Sequence, residues 1–299
     1  MPDSEGASIL AELTPPHILR LPAEQLTPVV FCSPHSGSIY PRAFLEASRL
    51  DPHTLRKSED CYVDELFEPV VALGAPLIAA RFPRAYLDVN REPYELDPEL
   101  FQGRLPAFAN TQSARVVGGL GTIARIVADT EEIYRDRLPI GAAFERIEKL
   151  YRPFHGALAG VLEGTRKRFG MAVLIDCHSM PSASMGQPPG GRPHFVLGDR
   201  FGASCDAKLT RFIRDTLQRA GFEVQVNRPY AGGFITEHYG SPVRGVHALQ
   251  LEINRALYLD EATLTKSKDF PKLVRTLAEM AARVFDALPV LLERRAAAE

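Results

Sequence analysis

Two histidines stand where apolar runs stop abruptly. Val29-Val30-Phe31-Cys32-Ser33-Pro34 ends in His35, and Met171-Ala172-Val173-Leu174-Ile175-Asp176-Cys177 ends in His178. Small polar residues follow both. Short apolar runs of this kind read as buried strands, and ligands collect outside the carboxyl ends of strands in open α/β sheets. One such histidine is most simply a packing residue. Two at strand ends, with acids available, point to a metal centre. Catalytic zinc takes three protein ligands and leaves one position for water, so His35 and His178 need a carboxylate partner. Asp60 is the candidate, with Glu59 as its adjacent rival. Either could instead be an ordinary acid near a helix N-terminus. Asp176 precedes His178 by two residues. It shares a face with the imidazole, as a supporting partner, only if extended geometry persists through the segment.

Glu252 is the candidate general base. It interrupts the apolar stretch Leu249-Gln250-Leu251-Glu252-Ile253. A buried carboxylate is costly unless paired, and burial moves its pKa toward a useful range. Gln250, Glu252 and Asn254 also alternate with leucine and isoleucine, so a solvent-facing strand edge fits the pattern equally. Arg84, Arg91, Arg228 and Arg255 recur beside these segments. A guanidinium binds carboxylates as a planar fork, which suggests a small anionic substrate. Cys177 adjoins His178, but neighbouring strand residues face opposite ways, so a cysteine–histidine nucleophile is disfavoured. His17 and His53 read as surface residues, and His155 as a packing residue on a helix. Gly118-Gly119-Leu120-Gly121 lacks the lysine and serine or threonine of a phosphate loop and reads as a turn.

The elements that must hold these residues follow from periodicity and breakers. Residues 1–27 read as an arm interrupted by prolines. Residues 28–299 read as one α/β domain. Strands are expected at Val29–Ser33, 76–82, 85–89, 172–176, 194–197, 222–226 and 245–254. A helix is expected between Ser58 and Gly74 as caps, with Asp60 in its first turn. The stripe Phe144, Ile147, Leu150, Tyr151, Phe154, Leu158 and Leu162 predicts a long helix from Ile140 to Phe169, kinked or divided at Pro153. Its passage into the 172–176 strand is the helix-to-strand step of a parallel sheet. Residues 93–127, 181–193 and 227–242 read as irregular. Helix returns at 203–220 and 262–296.

The chain has 299 residues, 45% hydrophobic, with a formal net charge of −2. This allows a sizeable core and shows no basic footprint for nucleic acid. The four cysteines form no Cys-x-x-Cys pair, and Cys32 and Cys177 lie inside apolar runs, which favours a reducing, cytoplasmic setting. The N-terminus has no signal-peptide pattern, and no run is apolar enough to span a membrane. Nothing in the sequence sets an oligomeric state.

The ordered motifs Ser-Pro-His35-Ser-Gly, Asp60, Asp88-Val-Asn-Arg91, Asp176-Cys-His178-Ser, Tyr230-x-Gly-Gly-x-Ile-Thr-x-His238-Tyr-Gly and Gly245-Val-His247-Ala-x-Gln-Leu-Glu252 resemble the N-formylglutamate amidohydrolase family. The resemblance runs from about residue 28 to 261. It implies a phosphorylase/hydrolase-like, zinc carboxypeptidase-like α/β fold, with a central mixed sheet flanked by helices. It implies one Zn2+ on His35, Asp60 and His178, with Glu252 as base. Asn90 and Arg91 fall on a substrate clamp shared with related deacylases, and Arg228 and His238 would be further pocket residues. The implied reaction is hydrolysis of N-formyl-L-glutamate to formate and L-glutamate, the last step of one histidine-degradation route. Carboxypeptidase-like enzymes draw two ligands from His-x-x-Glu, but Ser38 stands three residues after His35, so the carboxylate must come from elsewhere. Residues 93–125 carry no family motif and could set a preference for another acidic N-acyl amino acid. A protein that binds an acidic metabolite without turnover is the non-enzymatic alternative.

Overall fold

The computed structural model describes residues 4–127, 131–185 and 192–292. The fold is mixed α/β, with a central sheet flanked by helices. Seven strands make the sheet: β1 His17–Arg20, β2 Val29–Ser33, β3 Leu77–Ala80, β4 Ala172–Met180, β5 Phe195–Gly198, β6 Val224–Val226 and β7 Val246–Asn254. Their spatial order is β1-β3-β2-β4-β7-β5-β6. β2 and β4 run parallel, with Cys32 opposite Asp176, so both chains leave the sheet at the same edge. β4 and β7 are also parallel, while β5 is antiparallel to β7. The central strands are buried along both faces, and β2 and the start of β4 accordingly read as continuous apolar runs.

Contacts gather the chain into two compact units, each assembled from separated segments. One comprises Met1–Leu19, Ser33–Cys61 and Ile78–Ala159; the other comprises Arg20–Cys32, Tyr62–Leu77 and Gly160–Glu299. In the second, helix Phe270–Leu291 packs on helices Ala207–Arg219 and Val63–Phe67, and helix Phe234–Tyr239 packs on β7. Among the described residues no helix is long and apolar enough to cross a membrane.

Several expected elements take a different form. The N-terminal arm is structured: it holds helix Ser4–Glu12 and then edge strand β1, because strand pairing overrides the local effect of the prolines. His17 is accordingly half-buried, edge-on to Phe154, and not a surface residue, whereas His53 is exposed. Residues 85–89 form turns and no strand, since the amides of Tyr86 and Leu87 both donate back to Pro83 O. The helix after Asp60 is shorter than expected. It starts at Val63 behind left-handed Tyr62 and tightens to a 3-10 turn at Glu68–Val70, where Pro69 offers no N–H. Ser58 does not cap it; its hydroxyl donates to Leu55 O, and Asp60 precedes the helix. The 227–242 segment contains helix Phe234–Tyr239, with Ile235 and Thr236 buried. The C-terminal region is one helix, Phe270–Leu291; the expected extension to 296 and part of the 181–193 loop lie outside the described residues.

The long helix is divided as Pro153 predicts, but by a widened turn. Helix Ile140–Arg146 passes through a π-helical turn, Ile147–Tyr151, into helix Arg152–Phe169. Pro153 has no N–H for the carbonyl four residues back, and its ring crowds that carbonyl; an extra residue in the turn relieves both.

Gly37, two residues after His35, serves close approach. A Cβ there would lie 2.2 Å from Phe82 O, a backbone atom with no freedom to move aside. Gly37→Ala is expected to destabilise the protein by about 1–3 kcal/mol, read as a lower denaturant midpoint.

Candidate metal centre

His35 leaves the sheet directly after β2 and is held in a buried loop, 1% exposed. Its carbonyl accepts the amide of Asp60 at 3.0 Å, which ties the two residues together through the backbone. The imidazole lies between two carboxylates. Nε2 is 2.7 Å from Asp88 Oδ1, and Nδ1 faces Asp60 Oδ2 at 3.5 Å. A carboxylate can only accept, so Nε2 donates to Asp88, and Nδ1 is the ring nitrogen turned toward Asp60.

Asp88 is the residue that sequence reasoning passed over. Oδ1 also accepts the amide of Asn90 at 2.8 Å, and Oδ2 accepts Arg84 at 2.8 Å with Arg91 3.5 Å away. Burial alone would raise its pKa. The charges of Arg91, His35 and Arg84 outweigh that and hold the carboxyl well below its ordinary value. Its signal was present in Asp88-Val89-Asn90-Arg91, but a turn, and not the expected strand, delivers it to His35.

Glu59 and Asp60 have different partners. Glu59 accepts Tyr40 Oη at 2.6 Å and Arg56 Nε at 3.2 Å, with Cys61 Sγ also 3.2 Å away. Burial and the charge of Glu59 raise the Tyr40 pKa, so this phenol stays protonated as the donor. Asp60, fully buried, is the acid that faces His35.

β4 runs on past Asp176 through His178 to Met180. Extended geometry therefore persists, residues 176 and 178 share a face, and Asp176 Oδ2 sits 3.0 Å from His178 Nε2. The neighbouring strand places Glu252 directly opposite His178. Glu252 is only 7% exposed, which removes the solvent-facing reading. Gln250 Nε2 donates to Glu252 Oε1 at 2.8 Å, and Gln250 Oε1 accepts the amide of Gly233 at 2.6 Å. Cys177 points to the opposite face from His178, fully buried; burial, with the Asp176 charge adding to it, pushes its thiol pKa well up. That excludes an activated thiolate.

His35, Asp60 and His178 are all buried, and each offers one ligand atom, all within 4.8 Å of one another. Two imidazoles and a carboxylate are the donor chemistry of a zinc-type site, and both imidazoles have carboxylate neighbours of the kind that orient metal-bound histidines. The residues present fit one divalent cation.

The remaining candidates are more varied. Asn90 is buried beside Asp88. Arg91 donates Nε to Leu120 O and NH1 to Asn90 O, both within the protein, and burial lowers its pKa to about 10. Three of its five N–H groups face Leu120, Asn90 and Asp88. Arg228 is exposed, and His238 is exposed and stacked on Phe234. Arg255 is buried, with Nε donating to Ser179 Oγ. The Gly118–Gly121 run is a turn whose Leu120 carbonyl braces Arg91, and Gly121 lets Glu95 O approach closely.

The family model described as N-formylglutamate amidohydrolase matches residues 27–259. An N-formylglutamate deformylase of Pseudomonas putida is 32% identical over 241 residues, covering 78% of this chain and 82% of that protein. Its counterpart from Pseudomonas aeruginosa is 30% identical over 237 residues, covering 78% and 83%. The crystal structure of N-formylglutamate amidohydrolase from Ralstonia eutropha JMP134 superposes with a TM-score of 0.87 at 35% identity, covering 92% of this chain and 99% of that one. With the model spanning most of its length and these relatives matching over most of theirs, the chain belongs to the N-formylglutamate amidohydrolase family.

Proposed function

We propose that the protein hydrolyses the formyl amide of N-formyl-L-glutamate to formate and L-glutamate, using one Zn2+ held by His35, Asp60 and His178. The observation that carries this is the buried His–Asp–His group, with Glu252 in register beside His178. When bound, a zinc ion supplies Lewis-acid polarisation and a water whose pKa is lowered to about 7. Glu252 takes the proton of the attacking water and returns it to the leaving amine. Gln250 aims that carboxylate, because its own amide is fixed by Gly233. Asp88 holds His35 in one tautomer and orientation through its hydrogen bond, and the Asp176 carboxylate lies 3.0 Å from His178 Nε2 to offset its charge. Asn90 and Arg91 bind a substrate carboxylate, with Arg228 and His238 as further, exposed substrate contacts. The reading places residues 28–299 in one amidohydrolase domain acting in the cytoplasm, at the end of a histidine-degradation route.

The test is formate release from N-formyl-L-glutamate by purified protein, with bound metal measured on the same sample. Formate release with one zinc per chain supports the proposal. A protein that releases acetate from N-acetyl-L-glutamate but no formate would move the activity to another acidic N-acyl amino acid. Asp88→Asn is expected to weaken zinc binding about 10–100-fold while leaving the fold intact, measured by competition with a chromogenic chelator.

A further inference from the structure

Residues 85–90 are buried yet form no strand, so their carbonyls have no ladder to join. A buried backbone carbonyl needs a donor. Side chains of the divided helix supply two of these donors and a third to Arg91, the next residue. Arg146 NH1 donates to Tyr86 O at 3.2 Å, with its guanidinium 3.9 Å over the Tyr86 ring. His155 Nε2 donates to Val89 O at 2.9 Å. Tyr151 Oη donates to Arg91 O at 2.7 Å. The last two carbonyls bracket Asn90 and Arg91, and the Tyr151 and His155 rings lie 4.2 Å apart.

The π-helical turn makes this arrangement possible. In an uninterrupted α-helix, residues 146 and 155 would lie about half a turn apart and face opposite sides. Across a π turn, residues i and i+5 stack, which aligns Arg146 with Tyr151; ordinary i, i+4 spacing then aligns Tyr151 with His155. The interruption imposed by Pro153 is thus what puts three donors on one face.

We propose that Tyr151 and His155, aligned by this turn, are positioning residues for the Asn90–Arg91 substrate clamp. The Leu120 carbonyl braces the Arg91 side chain, and Tyr151 braces its backbone. The inference rests on the assignment of Arg91 as a carboxylate clamp under the proposed function.

The experiment compares wild type, Tyr151→Phe, His155→Leu and His155→Gln. It measures kcat and KM for N-formyl-L-glutamate, the Kd for L-glutamate by calorimetry, bound zinc and thermal midpoint. Losing one hydrogen bond at the clamp should raise KM and the glutamate Kd about tenfold in Tyr151→Phe, with a smaller change in kcat and with zinc content unchanged. His155→Gln keeps an N–H donor and should recover most of the loss seen in His155→Leu. In an Arg91→Ala background, Tyr151→Phe should have a smaller effect on the glutamate Kd, because much of its action runs through the Arg91 side chain. An unchanged Kd in Tyr151→Phe, full additivity with Arg91→Ala, or a fall in thermal midpoint and zinc content together would overturn the proposal. Failure of wild type to bind L-glutamate would overturn it too. If wild type binds L-glutamate but releases no formate, the activity assignment has failed, and the Kd series still decides the clamp.

Discussion

Glu252→Gln is expected to reduce kcat for formate release by about 10²–10⁴-fold while metal binding under the proposed mechanism and the fold stay unchanged. The substitution changes one oxygen for an amide nitrogen, so the packing around β7 is preserved. Gln250 Nε2 presently donates to Glu252 Oε1, and a glutamine can still accept there through its own oxygen. What disappears is the capacity to take a proton. Glu252 is not among the three residues grouped as ligands, so bound zinc should not change. The check is kcat from initial rates, alongside metal content and a denaturant midpoint. Turnover within a few-fold of wild type would remove Glu252 from the role of base, and zinc loss would make it a ligand.

The second large effect is expected on removing the metal or one of its ligands. Dialysis against a chelator should abolish formate release, and stoichiometric zinc should restore it. His178→Ala should be inactive and stay so on adding zinc at concentrations that saturate wild type. The same treatments should lower the thermal midpoint. His35, Asp60 and His178 are buried at 1%, 0% and 2% exposure, and a cation bound only by the folded chain stabilises it by mass action. This second readout matters because it does not depend on turnover. Activity that survives complete zinc removal, shown by metal analysis, would exclude the metal-dependent mechanism. Loss of activity without any change in thermal midpoint would place the ion elsewhere.

Part of the sheet was legible because β2 and the start of β4 are apolar without interruption. Val29–Ser33 and the start of β4 read directly as strands buried on both faces, and β7 read as a strand from its alternation of apolar and polar residues. The errors have a common origin. His17–Arg20 is a strand only because β3 offers it an edge. Residues 85–89 have strand-forming side chains but are turned by Pro83 and served by donors from a helix more than fifty residues further along. In both places distant partners outweighed local preference, which short-range patterns do not record.

The candidate site divides in the same way. Residue type and position put forward His35 and His178 at the ends of apolar runs, left Asp60 open against Glu59 and Glu252 open against a solvent-facing reading, and the family resemblance chose among them. Tertiary structure decided how these groups are partnered. It committed Glu59 to Tyr40 and Arg56, leaving Asp60 facing His35. It placed Glu252 opposite His178, and revealed Asp88 as the carboxylate behind His35. The sequence by itself determined which residues could do chemistry, since that depends on side-chain type and local burial pattern. Only the folded chain decided which of them meet, because strand register, a turn at Pro83 and a π-helical turn before Pro153 act over distances that no local spacing encodes.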